Sequence, residues 1–221
     1  MTEGEWLTSH DPDRLLKWLQ KSRRHRPTRR KLGLFACACA QRLGALVPDS
    51  FTARGLALAE RMAEGNGSQK EVDAFGYESV HVKSDVPYAH IAVWAVRIWE
   101  QEANWTSPDG SARSVAGYVA MELGDNEPAE QCRLLRDIVG NPYRRIYRRI
   151  DLDPGWLSWN KATVPKLADD IYQQRAFDRL PILADALEDA GCDNADILAH
   201  CRGPGPHVRG CWVVDLLLGK E

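Results

Sequence analysis

The stretch TRRKLGLFACACAQRLGAL, residues 28–46, decides the fold class. Thr28 is a residue type that caps helix N-termini, and Leu32, Phe35, Ala36, Cys39, Leu43 and Leu46 follow it on one helical stripe. Leu34, Cys37 and Ala38 widen that apolar surface almost all the way round. A helix that is apolar on nearly every side belongs in the interior, so residues 28–46 predict a central buried helix.

The flanking segments show the same period. Asp11 and Pro12 read as an N-cap and first turn before Leu15, Leu16, Trp18 and Leu19. Ser50 opens a helix carrying Leu56, Leu58 and Met62 to a stop at Gly65, and Ser68 with Glu71 forms a capping-box pattern for a short one. Pro87–Ala103 repeats the spacing with Ile91, Trp94, Ala95 and Ile98, and Asn126 with Pro128 opens a helix through Leu134, Leu135 and Ile138 that stops at Gly140. Thr163–Tyr172 and Asp178–Ala190 complete the set. No strand pair with a hairpin turn and no internal repeat is evident. The expected fold is all-α: an irregular bundle of about eight to nine helices in a single domain over 1–221. Its least regular part is the middle, 66–125, where 66–88 and 104–125 lack pattern and Trp105–Gly110 reads as a loop, a place for insertions or a moving lid. Residues 178–221 form a distinct Cys/His-containing segment.

Composition agrees with a soluble globular chain: 221 residues, 44% hydrophobic and 27% charged. Disordered and fibrous classes are excluded. A formal charge of −2 gives no overall field that would gather nucleic acid or anionic lipid. No run approaches the roughly 20 apolar residues that span a bilayer, and the start MTEGEWLTSHDPD lacks the basic and apolar regions of a secretory signal. The expectation is a cytoplasmic protein without a membrane partner, its six cysteines reduced.

Two blocks, EWLTSHDPDRLLKWL…RKLGLFACACAQRL and FDRLPILADALEDAGCDNADILAHCRGPGPHVRGCWVVDLLLGK, resemble an uncharacterised family of paralogous proteins abundant in planctomycete-type bacteria. LLRDIVGNPYR and LDPGWLSWN extend the likeness, which takes in about the first 65 and the last 95 residues and leaves the middle unmatched. The resemblance implies no activity, cofactor or catalytic residue.

The densest group of candidate ligands is Cys192, His200, Cys201, His207 and Cys211. Thiolate and imidazole suit zinc, which takes four such ligands in structural sites. A helix from Pro206 would put His207, Cys211 and Asp215 on one face, and the Gly203-Pro204-Gly205-Pro206 turn would fold His200 and Cys201 back toward it. The spacing lacks the paired-cysteine knuckle of zinc fingers, and buried cysteines also serve simply as core filling. Cys37 and Cys39, two apart on one helix, point in nearly opposite directions and read as core.

Basic residues concentrate in KSRRHRPTRRK at 21–31, which contains Arg23, Arg24, Arg26, Arg29 and Arg30, and in YRRIYRR at 143–149, with Arg144, Arg145, Arg148 and Arg149. Arginines interleaved with tyrosines suit phosphates and unpaired bases. Residues 1–50 carry +5 and the remainder −7, so the same residues also suit pairing with the acidic C-terminal segment. Arg202 and Arg209 flank the glycine-proline turn and admit an anion, or local ion pairs. Of eight tryptophans, Trp156 and Trp159 lie in the irregular DPGWLSWN stretch, where they suit a partner surface or a gap between helices.

No catalytic signature is legible. The expected function is therefore a non-enzymatic interaction or scaffold protein whose partner is another protein. The alternatives are a nucleic-acid-associated protein using the arginine clusters at 21–31 and 143–149, and a zinc-binding module or zinc-dependent enzyme using the C-terminal Cys/His cluster.

Overall fold

The computed structural model describes residues 1–22, 24–46, 50–82, 88–100, 107–144 and 152–220. Twelve α-helices and two short 3-10 turns make up the described residues, and no strand occurs among them. The protein is all-α, with more helices than the eight to nine expected. The surplus comes largely from helices of six to eight residues, too short to show a period, and from one helix whose buried face is made of small side chains. The chain divides into two compact units, Met1–Leu135 and Arg136–Glu221.

Unit 1 contains α1 (Glu3–Thr8), α2 (Pro12–Lys21), α3 (Arg29–Gln41), α4 (Ser50–Ala63), α5 (Gln69–Val80), α6 (Ala89–Arg97), α7 (Pro108–Leu123) and most of α8 (Glu127–Val139). Every residue of α3 from Leu32 to Ala40 is buried, because α3 packs against α4, α6 and α7 at once. The caps follow the sequence. The Asp11 carboxylate accepts the Arg14 N–H at 3.0 Å, Thr28 Oγ1 accepts that of Lys31 at 3.3 Å, and Ser68 and Glu71 exchange the two bonds of a capping box. Each satisfies backbone donors that the first turn leaves without an internal acceptor.

Residues 104–125 need correction: beyond the undescribed residues 101–106 they hold a helix. Ser107 Oγ accepts the Gly110 N–H at 3.2 Å, Pro108 occupies the first turn, and α7 runs to Leu123 against α2, α3 and α6. Its buried face is Ser111, Ala112, Val115, Ala116 and Val119. Small side chains let neighbouring helices approach closely while giving hydrophobicity little amplitude to follow.

Unit 2 contains α9 (Pro154–Gln174), α10 (Leu180–Asp189), α11 (Ala195–Arg202), α12 (Trp212–Leu218) and the last turn of α8. α9 packs on α10 and α12, and α11 on both. The core joins Val164, Ile171, Leu183, Leu187, Ile197 and Val214 with the buried thiols of Cys192 and Cys201. α9 is broken at Trp159–Ala162, where Asn160, Lys161 and Ala162 hold φ of 45°, 61° and 62°. Left-handed non-glycine residues cost about 1–2 kcal/mol each. The freed carbonyls of Asn160 and Lys161 accept from Thr163 Oγ1 and Lys166 Nζ at 2.7 and 2.8 Å.

Candidate metal centre

Four side chains of unit 2 converge: Asp137, His200, His207 and Cys211, one ligand atom from each lying within 4.8 Å of the other three. Asp137 and Cys211 are buried, and the two imidazoles are 17% and 11% exposed. Asp137 projects from the last turn of α8 and His200 from the last complete turn of α11, while His207 lies in the loop after the glycine-proline turn and Cys211 is the N-cap of α12. No helix begins at Pro206, so the three-residue face expected for His207, Cys211 and Asp215 does not form. The loop itself brings His207 and Cys211 together: Pro204 and Pro206 lack the N–H a helix needs, and Gly205 and Gly210 hold positive φ.

The geometry is tight. His207 Nδ1 is 2.7 Å and His200 Nε2 3.1 Å from Asp137 Oδ1, and His200 Nε2 is also 3.1 Å from Cys211 Sγ. The other carboxylate oxygen, Oδ2, accepts the Val208 N–H at 3.0 Å, which turns Oδ1 toward the two rings. The far nitrogen of His207, Nε2, lies 3.3 Å from the Gly203 carbonyl, so Nδ1 is the atom it offers inward. Metal-binding imidazoles are commonly held in this way, by a carbonyl or carboxylate on the second nitrogen. The Trp212 ring lies beside the site, its centroid 5.1 Å from that of His200.

The electrostatics follow from burial and pairing. Burial pushes the Asp137 carboxyl up, but hydrogen bonds and charge from His200 and His207 outweigh it and hold its pKa below the ordinary value. Burial pushes His207 down, and the Asp137 carboxylate overcomes it to raise the imidazole. The Cys211 thiol is driven well up by burial and then by the Asp137 charge, against the backbone amides of Val213 and Val214 that favour a thiolate.

Two of the five cysteines and histidines singled out by sequence stay outside this group. Cys201 is fully buried in the helical core, with its thiol pushed up to about 12 mainly by desolvation, and Cys192 sits in the same core. Asp137 is not among the residues the sequence singled out. Its signal was available: an acid on the apolar side of a helix, between Leu134 and Ile138, in the last turn where the helix dipole disfavours negative charge. No protein-family model, curated protein or solved structure matches the chain.

Arg202 reaches Asp185 at 2.8 Å and Glu188, which raise its pKa, so its guanidinium belongs to a surface ion-pair network. Arg209 lies over the Tyr172 ring and donates to the carbonyls of Tyr172 and Gln173, both at 3.4 Å. In the first basic cluster Arg26 pairs with buried Asp109 at 3.0 Å and Arg30 with Glu64 at 3.5 Å, whereas Arg24 and Arg29 are exposed. Arg144 is exposed, and Arg23, Arg145, Arg148 and Arg149 lie outside the described residues. Trp156 is 8% exposed within the core of unit 2, and Trp159 packs partly buried against the same core.

Unit 1 holds a cavity of about 400 Å³ walled by Pro12, Leu16, Ala116 and Gly117. Of its charged lining, Arg113 pairs with Asp13 and the Asp11 carboxylate caps α2.

Proposed function

We propose that unit 2 is a zinc-stabilised helical module whose role is structural, and that the protein acts as a non-enzymatic interaction or scaffold protein. The observation that carries this reading is the convergence of a carboxylate, two imidazoles and a thiol within 4.8 Å, all largely buried. Four protein ligands of mixed O, N and S type complete a tetrahedral shell and leave no open position for water or substrate, which is the mark of a structural zinc site. A tetrahedral zinc with bonds of about 2.0–2.3 Å separates its ligands by about 3.3–3.8 Å, so the observed 2.7 and 3.1 Å contacts need to open by well under 1 Å.

The same residues do not support a Cys–His–Asp hydrolase. Such a relay uses opposite ring nitrogens, one toward the nucleophile and one toward the acid. Here Asp137 and Cys211 both approach Nε2 of His200, and burial disfavours the Cys211 thiolate. The nucleic-acid alternative draws less support: of the clusters at 21–31 and 143–149, Arg26 and Arg30 pair with carboxylates, while Arg24, Arg29 and Arg144 are exposed.

Elemental analysis of protein purified without chelator tests the proposal, with an expected stoichiometry of one zinc per chain. Cobalt substitution should give the visible absorption of a tetrahedral ion, together with a thiolate charge-transfer band that Cys211→Ser removes. Absence of stoichiometric metal, or an octahedral cobalt spectrum, would overturn it.

A further inference from the structure

Gly205 stands where no ligand atom is contributed, yet its surroundings tie it to the site. Its φ is +75°, and a Cβ built on it would lie 3.0 Å from the backbone nitrogen of His207 and 3.2 Å from Cδ2 of the His207 ring. Contacts of that length are tighter than nearly all real side-chain carbons make, so the neighbours must give by a few tenths of an ångström, and the backbone nitrogen cannot swing away as the tip of a flexible side chain would. The imidazole cannot simply rotate clear either. Its Nδ1 is engaged with Asp137 at 2.7 Å, and its Nε2 lies 3.3 Å from the Gly203 carbonyl. The ring is therefore held at both nitrogens, by the Asp137 carboxylate and the Gly203 carbonyl, and the space where a Cβ of residue 205 would stand lies against its Cδ2 edge.

We infer that Gly205 is a positioning residue of the metal centre: it keeps open the space in which the His207 ring presents Nδ1 to a zinc ion. The inference rests on the zinc reading above and adds a residue with no donor atom to the determinants of affinity. Adding a methyl group there displaces the ring from the shared focus of Asp137, His200 and Cys211, so the cost falls on zinc binding as well as on the backbone.

Unit 2 supplies its own controls. Gly191 and Gly219 also have positive φ, +88° and +64°, and a Cβ at either meets nothing within 4 Å. Gly191→Ala and Gly219→Ala thus impose left-handed backbone strain without touching a ligand. Zinc dissociation constants of the full chain, measured by competition with a chromophoric chelator, should rise at least about tenfold in Gly205→Ala, the scale seen when a ligand loses its outer-shell support. They should stay within about threefold of the unmodified protein in both controls. Equal affinity for Gly205→Ala and the unmodified protein, or equal loss in all three variants, would overturn the inference. Imidazole ¹H–¹⁵N spectra of the zinc-free proteins provide a second readout that separates the two ideas. If the unmodified chain binds no zinc, the zinc reading fails and the metal-affinity claim for Gly205 falls with it. The spectra then still decide the placement of the ring. Displaced His207 resonances in Gly205→Ala alone support positioning, and unchanged ones overturn it.

Discussion

Asp137→Asn is the sharpest perturbation of the site, because it keeps the shape of the side chain and removes its charge. The Asp137 side chain is 3% exposed and lies against three groups: His207 Nδ1 at 2.7 Å, His200 Nε2 at 3.1 Å and the Val208 N–H at 3.0 Å. The amide retains one oxygen for Val208, but faces the imidazoles with a weaker acceptor or with a second donor. Charge-assisted hydrogen bonds contribute about 1.5–3 kcal/mol each, and removing one member of a buried ion pair costs about 3–5 kcal/mol. The zinc-free variant should lose about that amount in urea denaturation followed by tryptophan fluorescence, with Trp212 beside His200 as a local reporter. Zinc affinity should fall by more than the roughly 100-fold ceiling for losing an outer-shell partner, because a ligand itself is gone. Asp215 provides the comparison: it is equally buried, 1% exposed, and one turn beyond Cys211, yet outside the converging group. Asp215→Asn should also destabilise the fold but weaken zinc less than about tenfold. Zinc binding by Asp137→Asn equal to that of the unmodified chain, or equal losses in both variants, would refute the assignment of Asp137 as a ligand.

Further outcomes follow from the same contacts. Burial keeps Cys211 a thiol at neutral pH, so zinc must displace its proton, and affinity should rise about tenfold per pH unit. His207, raised by Asp137, adds a second displaced proton as pH falls below its pKa, whereas Asp137, lowered, adds none until strongly acidic pH; the slope should therefore steepen toward acid. Calorimetry in buffers of different ionisation enthalpy counts these protons, and a pH-independent affinity would exclude a thiol-derived ligand. In unit 1, a Cβ on Gly55 would sit 2.5 Å from Phe75 Cζ and 2.8 Å from Ala92 Cβ, so Gly55→Ala should cost about 1–3 kcal/mol by overpacking, measured by denaturant midpoint. A Cβ on Gly117, inside α7, meets nothing within 4 Å, so Gly117→Ala should instead gain up to about 1 kcal/mol from helix propensity, and destabilisation there would contradict the packing of α7.

What the sequence disclosed depended on how locally each feature is encoded. The caps at Asp11, Thr28 and Ser68 and the all-round apolar run of α3 are written within a turn or two, and the helices begin where those residues place them. α7 escaped because the alanines and serine that join two valines on its buried face leave little contrast with its exposed one. The site divides the same way. His200, His207 and Cys211 are neighbours in sequence and attract notice together, but their spacing implied a helical face that the glycine-proline turn replaces with a loop. Cys192 and Cys201 share that neighbourhood and go to the core, since residue type alone does not say which way a thiol points. Asp137 is distant in sequence, and only its awkward position at the end of a helix hinted at a partner.

That distance has its own thermodynamic meaning. No disulfide joins any of the six cysteines. An ion gripping Asp137 together with His200 would close a chain loop running from 137 to 200. Treated as a covalent cross-link of about 60 residues, such a closure removes roughly 4 kcal/mol worth of unfolded-state entropy. Among reduced thiols, a single four-ligand knot can thus take over the task that a secreted protein of this size gives to a cystine bridge, and a chelator can undo it where a reductant would have no effect.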